Sequence, residues 1–304
     1  MTRNISKEIE NLKKEKNAVI LVHNYQIPEI QDIADYLGDS LDLAKKASNL
    51  DFENIIFCGV DFMAESAKIL NPNKNVILPD ISATCPMAHM VDIDKLNKLK
   101  KDHPKAKVVS YINTTAKVKT FADICCTSSN GEKVVKTIDS DEVIFIPDRN
   151  LGSYIQRKVP EKNMILWPGY CSTHNNISKE DILKLKEKHP HAEVLVHPEC
   201  RLEVIDIADY AFSTNGMVNY AEKSDTKEFI IGTEKDICYR LKNENPDKEF
   251  YPVKSAVCEN MKKITAEKVL KSLKTLEPKV NLSDDIMKKA KQPLEKMMAI
   301  GRGD

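Results

Sequence analysis

VILVHNY at residues 19–25 returns as VVSYIN at residues 108–113 and as VLVHPE at residues 194–199. Each copy is a short run of β-branched and leucine side chains ending in polar groups, the pattern of a strand buried on both faces. With His23, Tyr111 and His197 set as equivalent, Asp35, Asp123 and Asp209 follow twelve residues later, each preceded by alanine. Ser40, Ser128 and Thr214 follow after seventeen, a hydroxyl in every copy. Identical offsets in three copies point to one structural unit used three times.

Second apolar segments follow in every copy, NIIFCGVD, EVIFIPDRN and EFIIGTE, and then third ones, NVILPD, NMILWP and EFYPV. Lysine-rich amphipathic stretches precede each first strand, and the one from Ser178 opens with a Ser-x-x-Asp capping box. Alternating helix and strand predicts an α/β fold of three pseudo-threefold-related α/β/α domains, each with a small parallel sheet. The period sets expected domains at residues 1–87, 88–174 and 175–304, the last carrying extra helices over 265–276 and 284–298. In such sheets ligands sit beyond the carboxyl ends of the strands, where His23, Tyr111 and His197 fall. The segment GRGD at residues 301–304 carries no recognisable signal.

Composition narrows the function. Forty-six Lys+Arg balance 46 Asp+Glu, so no net field draws nucleic acid or anionic lipid, and small-molecule partners are expected. Nine glycines in 304 residues, with neither G-x-G-x-x-G nor G-x-x-x-x-G-K-[ST], argue against Rossmann and P-loop nucleotide sites. No apolar run reaches the ~18 residues of a membrane helix. Residues 1–17 are charged rather than signal-like, so the expected location is cytoplasmic. There, eight cysteines point to thiolate or metal chemistry rather than to disulfides.

Three of the eight keep the period. Cys85, Cys171 and Cys258 lie 86 and 87 residues apart, each after a third strand, so threefold packing would bring them together. The others do not recur: Cys58 aligns with Ile146 and Ile231, Cys125 and Cys126 align with core-like positions, and Cys200 and Cys238 are unrepeated. Three converging thiolates are too few to close a tetrahedral zinc site. They suit a [4Fe-4S] cluster whose fourth iron stays open as a Lewis acid. The competing reading is of three buried side chains carried along by duplication.

The same symmetry gathers His23, Asn24, Tyr25, Tyr111, Asn113, His197 and Glu199 at strand ends, and Ser40, Ser128, Ser213 and Thr214 at predicted helix starts. The first group is an acid/base inventory, joined by His174 three residues after Cys171. The hydroxyls, with the amides of helix N-termini, suit phosphate or carboxylate, although such residues also serve as plain N-caps. His197-Pro198-Glu199 matches the H-x-E start of zinc deaminases, but the P-C-x-x-C partner is missing.

Eight blocks in order, VHNYQIPEIQDIADYLGDS, GVDFMAE, ATCPMA, YINTTAKVKTFADICCTSSN, PDRNLGSY, HPEC, IGTE and AVCENMKK, resemble the quinolinate synthase (NadA) family over about residues 19–263. The resemblance implies a triangular arrangement of three α/β/α domains around a central [4Fe-4S] cluster ligated by Cys85, Cys171 and Cys258. It implies a transferase that condenses iminoaspartate with dihydroxyacetone phosphate, releasing phosphate and water, to give quinolinate for NAD biosynthesis. Functional coupling to an iminoaspartate-producing enzyme would follow. Carried over, His23, Ser40, Tyr111, Asn113, Ser128, His197 and Thr214 would hold carboxylates and phosphate, with Ser213 and Glu199 in the same set. Tyr25 and Glu199 would move protons, assisted by His174, His197 and Tyr111. The run Ser213-Thr214-Asn215-Gly216-Met217 departs from the family's usual small residue after Ser-Thr. Two rival functions use the same residues, a cluster-dependent hydratase and a non-catalytic iron-sulfur redox sensor; the sensor would need a fourth protein ligand.

Overall fold

The computed structural model describes residues 3–49 and 51–304. Among these residues, each third of the chain contributes one four-stranded parallel sheet with the same strand order. The first sheet holds β1 (Ala18–His23), β2 (Tyr36–Gly38), β3 (Asn54–Cys58) and β4 (Asn75–Ile77), ordered β2-β1-β3-β4. The second holds β5 (Lys107–Tyr111), β6 (Ile124–Cys126), β7 (Glu142–Ile146) and β8 (Asn163–Leu166), ordered β6-β5-β7-β8. The third holds β9 (Glu193–Val196), β10 (Tyr210–Ala211), β11 (Glu228–Gly232) and β12 (Glu249–Pro252), ordered β10-β9-β11-β12. The expected α/β class with three small parallel sheets is the observed one.

Helices connect the parallel strands and cover the sheets, which explains why the central strands read as unbroken apolar runs rather than alternating ones. Every residue of β1 and of β3 is buried. The repeated aspartates have a backbone task. Ile20 N donates to Asp35 Oδ2, Val108 N to Asp123 Oδ2 and Val194 N to Asp209 Oδ2, each at 2.8 Å. These amides lie one residue before the short strands begin to pair, at Leu21 with Tyr36, Val109 with Ile124 and Leu195 with Tyr210. The carboxylate thus stands in for the missing ladder partner of a buried donor.

Register corrects one alignment made from spacing. Val22 pairs with Cys58, Ser110 with Ile146 and Val196 with Gly232, so Cys58 corresponds to Gly232 and not to Ile231. The Ser178 capping box is present. Helix Ala266–Thr275 starts at a Thr265 cap and stops where Leu276 turns left-handed at φ 54°. It packs on helix Arg3–Glu15 and on β3, while helix Asp284–Ile300 packs on β6 and on helices Asp61–Leu70 and Ala116–Lys119. The two last helices therefore brace the first and second sheets. Among the described residues no helix is long and apolar enough to cross a membrane.

Candidate active site

His23 and Tyr111 end β1 and β5, and His197 follows β9, so corresponding strand ends from all three sheets meet one space. It is a cavity of about 170 Å³. Cys85, Cys171, Cys258, His23, Tyr25, Ser40, Tyr111, Asn113, Ser128, His174, His197, Glu199 and Thr214 all line it. Ser213 is directed elsewhere: it caps helix Thr214–Lys223 through Gly216 N, and its hydroxyl accepts from Arg302. Asn24 stands behind the wall, donating to Thr214 Oγ1 at 2.9 Å and accepting from Arg240 at 2.7 Å.

Glu199 is the electrostatic centre. Its Oε2 lies 2.6 Å from His174 Nδ1 and 3.5 Å from His197 Nδ1, and Asn113 Nδ2 donates to Oε1 at 3.4 Å. Burial opposes the carboxylate charge, but the two histidines and a Tyr111 hydrogen bond outweigh it and hold Glu199 at about 2. Burial does the opposite for His23 and His197, lowering them to about 4 and about 3, so both rings are neutral at pH 7. Burial first, and then the Glu199 charge, raises Tyr25 and Tyr111 well above the ordinary tyrosine value. An ionised base and two protonated hydroxyls therefore share the cavity, the separation of pKa values that acid–base catalysis uses.

One member was missed from sequence. Thr233 Oγ1 lies 2.5 Å from the Tyr25 hydroxyl and 2.7 Å from His174 Nε2. Tyr25 OH also approaches His174 Nε2 at 3.3 Å. The signal was available as a break in the repeat. The amides of Asp61, Arg149 and Lys235 donate to Ala83, Gly169 and Ala256, each two residues before a cysteine. By that register Thr233 occupies the place of Gly59 and Pro147, the one position of the three with a hydroxyl.

Helices Ser40–Asn49, Gly131–Lys136 and Thr214–Lys223 begin beside Ser40, Ser128 and Thr214. Capping of the first and third falls to the preceding residue: Asp39 Oδ1 accepts from Leu41 N and Asp42 N, and Ser213 accepts from Gly216 N. Ser40 and Thr214 are thereby released from the capping role. No lysine or arginine is among the lining residues. The donors this wall offers are hydroxyls, neutral imidazole N–H groups and helix N-termini.

The three cysteines share a second pattern. Cys85 N donates to Asp61 Oδ1 at 3.0 Å and Cys258 N to Glu234 Oε1 at 3.4 Å, and Cys171 N hydrogen-bonds Asp148. A carboxylate after β3, β7 or β11, buried in the second and third units and partly exposed at Asp61, thus fixes each cysteine loop. All three thiols are free and partly exposed to the cavity; burial raises each, and Glu199 adds to this at Cys85 and Cys171. Cys171 Sγ lies 3.2 Å from His174 Nδ1. The ligand atoms of Cys171, His174 and Glu199 lie within 4.8 Å of one another and could hold a metal ion.

Residues 7–299 match the family described as Quinolinate synthetase A protein. The chain is 50% identical over 301 residues to the quinolinate synthase of Thermodesulfovibrio yellowstonii, covering 99% of each. It is 50% identical over 303 residues to that of Clostridium acetobutylicum, covering 99% of this chain and all of the relative. It is 50% identical over 299 residues to quinolinate synthase 2 of Methanosarcina acetivorans, covering 98% of this chain and 96% of the relative.

Proposed function

The chain belongs to the quinolinate synthetase A family, and from that premise we propose that it is a transferase of NAD biosynthesis that condenses iminoaspartate with dihydroxyacetone phosphate to quinolinate, releasing phosphate and water. The observation that carries this reading is the meeting of three thiols, an ionised buried carboxylate and two protonated tyrosines in one cavity.

The donor set fits a [4Fe-4S] cluster. Cys85, Cys171 and Cys258 would hold it, and none of the other five cysteines lines the cavity, so one iron would lack a protein thiolate. When bound, the cluster supplies Lewis-acid polarisation at that iron. A closed electron carrier or sensor would call for a fourth thiolate here. Distance alone also favours a single ion on Cys171, His174 and Glu199. That reading leaves Cys85 and Cys258 without a task and occupies the group best suited to proton transfer.

The chain's own residues do the rest. Ser40, Ser128 and Thr214, with the helix N-termini beside them, receive phosphate and carboxylates, and His23, His197 and Asn113 add neutral donors. Ser213 acts on this set only through its cap. Glu199, ionised at neutral pH, removes a proton adjacent to a departing hydroxyl. Tyr25 and Tyr111 stay protonated and donate to developing oxygen charge. With Nδ1–H directed at Glu199, His174 turns Nε2 towards the Tyr25 and Thr233 hydroxyls, which fixes the orientation of both catalytic groups. A cytoplasmic setting, which keeps thiols reduced, suits the eight free cysteines. An enzyme that makes iminoaspartate is the expected functional partner.

Anaerobic purification with iron and sulfide analysis, followed by product detection, tests this reading. About four irons and four sulfides per chain and quinolinate formed only when triose phosphate is present are the expected results. Metal without sulfide would favour the single ion. Product formation without triose phosphate would favour a hydratase, and a cluster without turnover would favour a sensor.

A further inference from the structure

Residues 301–304, silent in the sequence, run across all three site loops. Arg302 Nη1 donates to Asp39 Oδ2 at 2.8 Å and to Asp42 Oδ2 at 3.2 Å, and Nη2 donates to Ser213 Oγ at 2.8 Å and to Asp304 Oδ1 at 3.0 Å. Asp304 Oδ2 accepts from Ser213 N at 2.8 Å. On the second sheet's side, Asn130 Nδ2 donates to Gly301 O at 3.0 Å, and Lys133 Nζ donates to Arg302 O. The two glycines fit the same path. Gly301 adopts φ +75°, and a Cβ on Gly303 would stand 2.4 Å from Ser129 O. The segment is therefore bonded to the turns that precede Ser40 and Thr214 and packed against the one that follows Ser128.

Charge gives this arrangement a purpose beyond bracing. Asp39 lines the cavity and is nearly buried, with Asp42 one turn along the same helix. Glu199 lines the cavity too, and among the described residues no lysine or arginine does. Asp39 in the wall, with Asp42 just behind it, would repel a phosphate or dicarboxylate unless their charge were offset. Arg302 pairs with both of them and with Asp304 as well, so one positive charge, on a side chain 20% exposed, is shared among three carboxylates. Asp39 cannot simply be dispensed with, since its Oδ1 holds Leu41 N and Asp42 N at the start of the helix.

We propose that Arg302 is a positioning and charge-balancing residue for anionic substrate: from behind the wall it offsets part of the negative charge of Asp39 and Asp42 and ties the Ser40 turn to the Ser213–Thr214 turn. The assignment rests on the quinolinate-forming reading for the identity of the anion. It makes the KM for the phosphate-bearing substrate, rather than the chemical step, the quantity that Arg302 controls.

Steady-state kinetics of the cluster-loaded chain with dihydroxyacetone phosphate, beside iron content and thermal unfolding, provide the test. Arg302→Gln is expected to raise KM roughly tenfold with kcat changed less than about threefold, and Arg302→Lys to restore much of the loss. Asp42→Asn supplies the opposite sign: removing a carboxylate is expected to lower KM by about twofold, whereas a purely bracing contact would raise it. If Arg302→Gln does not fold, the sign of the Asp42→Asn effect decides. An unchanged KM in folded Arg302→Gln, equal losses in the Gln and Lys variants, or a raised KM in Asp42→Asn overturns the proposal. Wild-type chain that makes no quinolinate overturns the function instead, an outcome distinct from a working enzyme indifferent to Arg302.

Discussion

His174 Nδ1 lies 2.6 Å from Glu199 Oε2, with both side chains all but sealed from solvent. That contact makes Nδ1 a donor to the carboxylate and leaves Nε2 within hydrogen-bond reach of the Tyr25 and Thr233 hydroxyls. The proposed base, Glu199, and the proposed acid, Tyr25, are thus joined through one imidazole. The ring also stacks on His197, with centroids 4.5 Å apart, which limits its rotation. Cys171 Sγ lies 3.2 Å from the same Nδ1, so the proposed proton-transfer pair adjoins a proposed cluster ligand.

Glu199→Gln keeps the shape of the side chain and removes its basicity. Turnover to quinolinate is expected to fall by roughly 10²–10⁴-fold, the range of a lost general base, while iron and sulfide content hold at the wild-type level. Product formation measured together with metal analysis checks this. Undiminished turnover with an intact cluster would remove Glu199 from the proton-transfer step.

Thr233→Val deletes the hydroxyl shared by Tyr25 and His174 at nearly constant volume. Two buried polar atoms lose a partner, so kcat should fall about tenfold or more through misorientation, and Thr233→Ser should recover most of it. Comparison of kcat and KM for both variants is the measurement. Equal losses for Val and Ser would mean that the methyl contact matters and the hydroxyl does not.

How much of this was legible in the sequence follows from what repeats. Offsets of twelve and seventeen residues located the strand ends, the aspartates and the hydroxyl slots because every sheet uses them alike. Thr233 escaped for the opposite reason: it departs from the repeat, standing where the other units have Gly59 and Pro147. Arg302 escaped because its neighbour Asp304 is its one local partner and carries no repeat or motif, while Asp39, Asp42 and Ser213 come from distant segments. The one-residue error at Cys58 arose because a strand's end is set by hydrogen bonding to its neighbour, which spacing does not encode.

Stability should depend on pH through His23. Burial lowers its pKa to about 4 in the folded chain, against ~6.5 for an unperturbed imidazole. Above that ordinary value neither state is protonated and the full stability is present. As pH falls from about 6.5 towards 4 the unfolded chain takes up the proton first, so stability is lost across that window. Urea midpoints at several pH values should fall as pH drops through it, and His23→Gln should show a shallower decline. A parallel decline in both proteins would assign the pH sensitivity to other groups, such as His197, held at about 3 by the same burial.

The repeated aspartates allow a comparison within one molecule. Asp123→Ala leaves the Val108 amide without its acceptor inside a covered sheet, a loss of about 1–3 kcal/mol. Asp35→Ala exposes the same fault at Ile20 and also takes away one of the two carboxylates on Lys13, whose Nζ lies 2.7 Å from Asp35 Oδ1 in a side chain only 9% exposed and keeps only the half-exposed Glu10 at 2.6 Å. Asp123 has a weaker ion pair, with Lys107 at 3.7 Å and both side chains well exposed, so little is added there. Asp35→Ala should therefore destabilise more than Asp123→Ala in equilibrium urea unfolding. Asparagine should recover part of the loss at each site by offering a carbonyl oxygen to the amide. If Ala and Asn were equally damaging, the ion pairs and not the backbone donors would explain why the aspartate recurs.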